Sequence, residues 1–292
     1  MMAGEVPHSS GQNRPQRVLP AKACDSHMHI FDRRFLPSPH WIRQPPEAPV
    51  SAYRPLQARL GTQRAVVVTP STYGTDNACM LDALQELGEG ACGVAVVADE
   101  VSDAELSLLA ARRVRGLRVN FVTPQSWGKT TQQMLATLAR KVAEHPACGH
   151  WHIQVFAHPE QLVQMASLLA ALPVPLVIDH LGHIDPKEGT SGAAYEVLRR
   201  LLDSGNTWVK LSGAYMRSTA QDRAYADTLP LGRALVEAAP ERLVWGSDWP
   251  HTTAPPGSVN DADLLDLLMA WAVSPSKMEQ ILVDNPAQLY RF

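Results

Sequence analysis

The run ACDSHMHI at residues 23–30 decides the fold, because it is a short β-rich segment with a pair of histidines towards its end. Seven comparable runs follow it, and segments with helical periodicity separate them. Several runs are almost continuous Val, Ile and Leu, which is typical of parallel strands covered on both faces. The alternation predicts an α/β fold, a single (β/α)8 TIM barrel, with strands at 23–30, 64–70, 93–98, 116–121, 150–156, 174–180, 207–213 and 242–248.

The segments between these runs predict the helices of the barrel. Ser102 is followed three residues later by Glu105, which is the pattern of a capping box at a helix start. Residues 32–57 are rich in proline and aromatic residues and predict a long loop on the side where such barrels keep their active sites. The predicted helices lie at 76–87, 102–112, 130–144, 159–171, 192–203, 222–239, 260–272 and 275–283.

The length of 292 residues fits one barrel of about 250 residues with a short extension. Residues 1–22 are polar and contain three prolines, so we expect a flexible N-terminal arm, with residues 23–292 as the single domain. A net charge of −3 and the lack of long Lys or Arg blocks exclude a nucleic-acid partner. The longest apolar stretch, 165–178, is interrupted by two prolines and predicts no membrane span. Four scattered cysteines favour a reducing cytoplasm, and the oligomeric state is not predicted.

Polar residues at the ends of the predicted strands are the candidates for chemistry, since the reactive face of a barrel lies there. His27 and His29 are two residues apart on a strand, so their side chains share one face and can share one ligand. His180 closes an apolar run, and Asp248 closes another between two tryptophans, where an unpaired carboxylate would be costly to bury. Structural histidines and a structural salt bridge are the alternatives. Further polar residues at this face are Arg118, Asn120 and Arg217.

In this order, the residues resemble the amidohydrolase superfamily, in which His-X-His at strand one, His at strand six and Asp at strand eight surround the reaction centre. Six spaced motifs are similar, more narrowly, to the branch of 2-pyrone-4,6-dicarboxylate hydrolases and sugar-lactone hydrolases. They are CDSHMHIFD, PSTYGTDN, RGLRVNF, VPLVIDHLG, WVKLSG and RLVWGSDWPH. The resemblance covers nearly the whole predicted barrel.

The resemblance bears on metals, because superfamily members with two metals use a carboxylated Lys on strand four and a His on strand five. Arg118 stands on strand four here, and strand five ends in Gln154, Val155 and Phe156, so a two-metal centre is disfavoured. One zinc held by His27, His29 and Asp248 is chemically reasonable. The branch is understood to work without metal, and no cofactor is the favoured expectation.

The resemblance implies hydrolysis of a small anionic lactone, with Asp248 as the general base and His27, His29 and His180 polarising the ester carbonyl. It also implies that Arg118, Arg217 and Ser71 bind the substrate. Three positions depart from the 2-pyrone-4,6-dicarboxylate hydrolases: a second arginine is replaced near Lys129, a tyrosine by Phe156 and an asparagine by Thr253. We therefore expect a different pocket and leave the lactone open.

Three other functions fit the same residues. A zinc-dependent decarboxylase of an aromatic or muconate-type acid uses the same ligand types, and a lactone isomerase would use the same base. A barrel that only binds or scaffolds is the non-enzymatic alternative. Bound zinc, product analysis and the effect of Asp248→Asn distinguish them.

Overall fold

Eight parallel strands pair in chain order in the computed structural model, which describes residues 5–123, 130–220 and 224–292. The predicted TIM barrel is confirmed. Each observed strand falls close to its predicted run, but most are shorter, because polar residues at the ends of the runs belong to the loops. The strands are β1 (Cys24–Met28), β2 (Arg64–Val68), β3 (Ala91–Ala95), β4 (Val114–Asn120), β5 (His152–Phe156), β6 (Leu176–Ile178), β7 (Thr207–Leu211) and β8 (Leu243–Trp245).

The helices lie between the strands and continue after the last one. They are α1 (Val50–Leu60), α2 (Ala78–Leu87), α3 (Asp103–Ala111), α4 (Gln132–Glu144), α5 (Pro159–Gln164), α6 (Ala166–Ala170), α7 (Ala193–Asp203), α8 (Leu229–Ala238), α9 (Asp261–Ala272), α10 (Pro275–Glu279) and α11 (Asn285–Tyr290). The side chain of Ser102 accepts the N–H of Glu105 at the start of α3, which is one half of the expected capping box.

The predicted loop at 32–57 is wrong in its last part, because α1 begins at Val50. The helix was not predicted because Pro55 lies inside it, and proline disfavours a helix interior by removing a backbone donor. The predicted helix at 159–171 is divided into α5 and α6 at Met165, and the predicted helix at 222–239 begins only at Leu229. The last predicted helix continues through a π-helical turn at 280–284 into α11.

Successive side chains along each strand alternate between two hydrophobic clusters, one inside the barrel and one between the barrel and the helices. On β2, Val66 and Val68 point into the barrel, whereas Ala65 and Val67 pack against the helices. The ring of Tyr290 on α11 belongs to the interior cluster. The two clusters make the barrel a packed core rather than a pore.

Backbone hydrogen bonds close the barrel between β1 and the loop after β8. The N–H of Asp248 donates to the carbonyl of His27 at 2.8 Å, and the N–H of His29 donates to the carbonyl of Trp249 at 2.9 Å. The seam of the barrel therefore fixes the backbones of three predicted site residues relative to one another.

Asp25 on β1 also forms hydrogen bonds to the segment after β8. Its carboxylate accepts the hydroxyl of Ser247 at 2.6 Å, the N–H of Ser247 at 2.9 Å and the hydroxyl of Tyr53 on α1 at 3.0 Å. Burial raises the pKa of the Asp25 carboxyl to about 6 in spite of these bonds. Asp25 thus has a structural role next to the predicted histidine pair.

The described part of the N-terminal arm, residues 5–22, contacts the barrel. Val6 is buried, the indole N–H of Trp249 donates to the carbonyl of Pro7 at 2.8 Å, and the N–H of Ser10 donates to the carbonyl of Val259 at 2.7 Å. The division of the chain into an arm and one barrel domain stays a prediction.

All four cysteines are buried free thiols. Among the helices of the described residues, none has the length and apolar character needed to cross a bilayer.

Candidate active site

A pocket opens at the carboxyl-terminal ends of the strands, where the sequence predicted the reactive face. Predicted site residues from several strands meet in it, together with residues of the long loop after β1. The polar and aromatic residues that line it are His29, Phe31, Trp41, Arg43, Ser71, Thr72, Arg118, Asn120, Thr123, Phe156, His180, Asp248, Thr252 and Thr253. A neighbouring cavity of about 350 Å³ shares Trp41, Arg43, Thr72 and Thr252 with it.

Asp248 lines the pocket and lies among the three predicted catalytic histidines. Its Oδ1 atom is 3.5 Å from Nε2 of His27, 3.4 Å from Nε2 of His29 and 3.9 Å from Nε2 of His180. Its Oδ2 atom accepts the hydroxyl of Tyr215 at 2.5 Å. The structure therefore brings the four predicted catalytic residues together around one carboxylate oxygen.

The backbone of Asp248 holds a left-handed conformation with φ of 61°. Residues other than glycine adopt this region at a cost of about 1–2 kcal/mol, and Asp and Asn tolerate it best. His180 also has a positive φ of 53°. Such conformations persist where the surrounding structure enforces them. Here the hydrogen bond from the N–H of Asp248 to the carbonyl of His27 fixes the backbone of Asp248.

The charge state of the cluster follows from burial and from its neighbours. Burial alone would raise the pKa of the Asp248 carboxyl, but His180 and the hydrogen bond from His29 outweigh it and hold that pKa below its ordinary value. Burial lowers the pKa of His27 and of His180. At neutral pH the carboxylate is therefore ionised, and these two imidazoles are neutral.

The outer ring nitrogens of the histidines have partners that orient the rings. Nδ1 of His29 lies 2.8 Å from the carbonyl oxygen of Val68, so this nitrogen must carry the proton, because a carbonyl can only accept. Nδ1 of His180 lies 2.9 Å from the hydroxyl of Ser212. Both rings are thereby held with Nε2 towards Asp248.

A buried layer of charge lies directly beneath the cluster. Asp179, between β6 and His180, accepts Nε of Arg118 at 3.0 Å and the amide of Gln154 at 3.1 Å. Lys210 on β7 donates to the carbonyl of Ser26 at 2.8 Å and contacts Nδ1 of His27 at 3.3 Å. Burial would raise the pKa of Asp179, but His27 and Arg118 outweigh it and hold the pKa well below its usual range.

Burial also lowers the pKa of the Lys210 ammonium to about 8. Together, Asp179 and Asp248 supply two negative charges at neutral pH, and Arg118 and Lys210 supply two positive charges. Arg118 and Lys210 both lie close to Asp179, at 3.0 and 4.0 Å, so this buried carboxylate has two cationic neighbours, as buried ionic groups require.

The predicted substrate-binding residues divide into two sets. Arg118 and Ser71 line the pocket, and Asn120 joins them through a 2.8 Å hydrogen bond to the Ser71 hydroxyl. Arg217 instead pairs with Asp185 at 3.1 Å and does not line the pocket. Lys129, the expected substitute for a second arginine, lies outside the described residues.

Comparison of the sequence with known protein families gives a match to the amidohydrolase family profile over residues 24–292. The chain is a member of the amidohydrolase family. It is 33% identical over 288 residues to 2-pyrone-4,6-dicarboxylate hydrolase of Comamonas testosteroni, covering 95% of this chain and 93% of the relative. It is 32% identical over 280 residues to 4-sulfomuconolactone hydrolase of Rhizobium radiobacter, covering 94% and 91%. It is 27% identical over 281 residues to D-galactarolactone isomerase of Agrobacterium fabrum, covering 95% and 94%.

Several residues of this amidohydrolase site escaped the sequence interpretation. Lys210 carried a signal, because a lysine inside the apolar run WVKLSG has to be buried and needs partners. Asp179 also carried one, since it precedes His180 in a strand-like run. Tyr215 and Arg43 carried none, because a turn after β7 and a turn in the loop after β1 bring them to the pocket.

One set of donors in the amidohydrolase site could hold a metal ion. His27, His180 and Asp248 each offer one ligand atom, and these atoms lie within 4.8 Å of one another. Two of the three predicted zinc ligands belong to this set, and Nε2 of the third, His29, lies 3.3 Å from Nε2 of His27. Imidazole nitrogens and a carboxylate oxygen are donors that zinc accepts, so the positions of the atoms fit a single divalent cation.

Proposed function

We propose that this amidohydrolase opens a small lactone that carries one or more carboxylates, with Asp248 as the general base that activates water. The observation that carries the proposal is the ionised carboxylate surrounded by three imidazoles, in a pocket that arginines also line. The names of two relatives, both lactone hydrolases of about one-third identity, support the same reaction class.

In this mechanism a water molecule binds to the carboxylate of Asp248 and attacks the lactone carbonyl carbon. Its proton passes to Asp248, and negative charge develops on the carbonyl oxygen. Imidazole N–H groups of the cluster and the guanidinium of Arg118 stabilise that charge. The ring C–O bond then breaks, and Asp248 returns the proton to the leaving oxygen, which leaves a ring-opened hydroxy acid or its keto tautomer.

Arg118 is the proposed main anchor for a substrate carboxylate. Its Nε atom is engaged by Asp179, whereas its two terminal nitrogens make no hydrogen bond within the described residues. A guanidinium fixed in this way presents two parallel donors, which is the geometry that a carboxylate accepts. Ser71 and Asn120 supply neutral donors next to it.

Arg43 is the proposed second cation, at the boundary between the pocket and the neighbouring cavity. Its guanidinium stacks over the ring of Trp41 at 5.0 Å. Arg217 stays a proposed substrate ligand, but it would have to exchange Asp185 for the substrate. A substrate with two anionic groups fits this distribution of charge.

No step of this mechanism passes through a metal. A single zinc on His27, His180 and Asp248 would polarise the carbonyl or the water. The donor positions fit it, but Nδ1 of His27 lies 3.3 Å from the Lys210 ammonium, which can only donate, whereas a His27 that binds metal through Nε2 needs its proton on Nδ1. The decarboxylase alternative requires that zinc and is therefore less well supported.

The isomerase is the second candidate, because one relative of 27% identity is named D-galactarolactone isomerase. It would use Asp248 to move a proton or an acyl group without adding water. A purely binding barrel is the least supported alternative, because it gives no reason to assemble an ionised carboxylate and three imidazoles. The cytoplasmic location stays a prediction, supported by four buried free thiols.

The test is product analysis on a panel of lactones with the chelator-treated protein. The panel contains 2-pyrone-4,6-dicarboxylate, muconolactones and acidic sugar lactones. Hydrolysis releases one acid equivalent and incorporates one oxygen from 18O-labelled water, and we expect both. A product with the mass of the substrate would support the isomerase, and release of CO2 that depends on zinc would support the decarboxylase.

A further inference from the structure

Lys210 is a buried cation whose position no step of the lactonase mechanism explains. Its side chain is fully buried on β7, inside the barrel and below the cluster of histidines. One N–H donates to the carbonyl of Ser26 at 2.8 Å, and another points to Nδ1 of His27 at 3.3 Å. Because an ammonium can only donate, Nδ1 of His27 must be the acceptor in this contact.

Two groups compete for Nδ1 of His27. Oδ1 of Asp179 lies equally close, at 3.3 Å, and would require a proton on that nitrogen. The contact to Lys210 has the geometry of a hydrogen bond, whereas Oδ1 of Asp179 receives no hydrogen bond from any residue that the structure describes. The geometry therefore favours Lys210, and the proton of neutral His27 resides on Nε2.

Nε2 of His27 faces the cluster of histidines. It lies 3.3 Å from Nε2 of His29 and 3.5 Å from Oδ1 of Asp248. A proton on this nitrogen is therefore directed into the cluster, whereas Nδ1 faces Lys210.

We propose that Lys210 is a positioning residue that holds His27 in its Nε2–H tautomer and thereby keeps divalent cations out of the cluster. A metal binds the lone pair of an imidazole nitrogen, and in this chain the lone pair of His27 faces Lys210 instead of Asp248. To bind zinc, His27 would have to transfer its proton to Nδ1 and exchange Lys210 for Asp179. The N–H that remains at Nε2 is available to Asp248 and to the substrate.

Zinc affinity tests this inference without any lactone, so its outcome is separate from that of the proposed function. The affinity of metal-free protein for zinc is measured by competition with a chromogenic chelator. Replacing Lys210 by methionine removes the donor and leaves Asp179 as the partner of Nδ1, which is the arrangement that supports a metal-bound histidine. Partners of this kind change metal affinity by about 10- to 100-fold.

We therefore expect Lys210→Met to bind zinc about 10- to 100-fold more tightly than the unmodified protein. Lys210→Arg keeps a cationic donor and should restore weak binding. Lys141→Met is the matched control, because Lys141 also donates to a backbone carbonyl, that of Val101 at 2.7 Å, but lies outside the barrel. A folded Lys210→Met protein with unchanged zinc affinity would overturn the proposal.

Nitrogen NMR of the histidine-labelled, unmodified protein tests the tautomer directly and does not depend on the folding of a variant. The signals of His27 are identified by their loss in His27→Gln. We expect Nδ1 to show the shift of an unprotonated nitrogen and Nε2 the shift of an N–H. The reverse assignment would contradict the proposal whatever the zinc measurements show.

Discussion

Arg43 offers the most selective test of substrate recognition at the scale of single residues. Its side chain is exposed at the edge of the pocket, so replacing it should leave the fold unaffected. We expect Arg43→Gln to raise KM for a dicarboxylated lactone about 10-fold, which corresponds to about 1.4 kcal/mol of lost binding, with little change in kcat. Steady-state kinetics on lactones with one and with two carboxylates measures the effect.

Arg33→Gln is the control for this prediction. Arg33 belongs to the same loop and is exposed, but it pairs with Glu47 at 2.7 Å and does not line the pocket. Equal changes in KM for the two variants would mean that only the charge of the loop matters, and the role proposed for Arg43 would be lost.

The residues of the cluster could be predicted from sequence because all four lie at the ends of three strands, β1, β6 and β8. His27, His29, His180 and Asp248 needed only the barrel and the strand ends to be placed together. Lys210 escaped because its role depends on a contact between β7 and β1. Of the two arginines predicted to bind substrate, only Arg118 lines the pocket, because Arg217 pairs with Asp185 of the loop after β6. No feature of the sequence signals this contact between two loops.

The seam between β1 and β8 gives a prediction at the scale of secondary structure elements. Gly246 follows β8, and a Cβ atom there would lie 2.5 Å from Cβ of His27 and 2.7 Å from its backbone nitrogen. We expect Gly246→Ala to destabilise the protein by about 1–3 kcal/mol, the usual range for overpacking, and to lower turnover by displacing His27. Urea unfolding and lactone hydrolysis measure the two effects.

Gly149→Ala is the matched control for the seam. Gly149 has a φ of −59°, and the nearest atom to an added Cβ is 4.0 Å away, so alanine should be neutral or stabilising by about 0.4–1 kcal/mol. If both variants unfold at the same urea concentration as the unmodified protein, the contact between β8 and β1 does not have the tight packing described here.

Helices could be predicted where apolar residues recur with helical spacing. They were missed where a residue that disfavours helix, such as proline, is nevertheless accommodated because one face of the helix is buried. Helix α1 is the main example, because Pro55 argued against a helix, whereas Tyr53 and Leu56 are fully buried against the barrel. The burial of one face outweighs the hydrogen bond that proline removes. Helix α11 was missed because the π-helical turn at 280–284 interrupts the helical period before it.

At the scale of the whole molecule, one buried ion pair couples the loop after β8 to α9 and predicts how stability depends on pH. Nε2 of His251 lies 3.0 Å from Oδ1 of Asp261. Burial alone would lower the pKa of His251, but Asp261 outweighs it and raises the pKa above its ordinary value. The resulting stabilisation is complete below the ordinary histidine pKa and is lost as pH rises through the raised value.

The free energy of unfolding contributed by this pair should therefore fall between pH 6 and pH 9. Urea unfolding at both values, compared with the same measurement on His251→Gln, isolates the contribution, because glutamine does not titrate. A fall in the unmodified protein that exceeds the fall in the variant is the expected result. Equal falls would mean that His251 does not gain a proton on folding.

Asp248→Asn in chelator-treated protein tests the central claim most directly. Asparagine is isosteric, tolerates the positive φ of 61° at this position and can still accept the Tyr215 hydroxyl, so the variant should fold. Asp203→Asn, an exposed residue of α7, serves as the control. The account predicts that kcat for the best lactone falls by about 100- to 10,000-fold in Asp248→Asn and not in the control. Turnover that stays within threefold of the unmodified protein would contradict the assignment of Asp248 as the base.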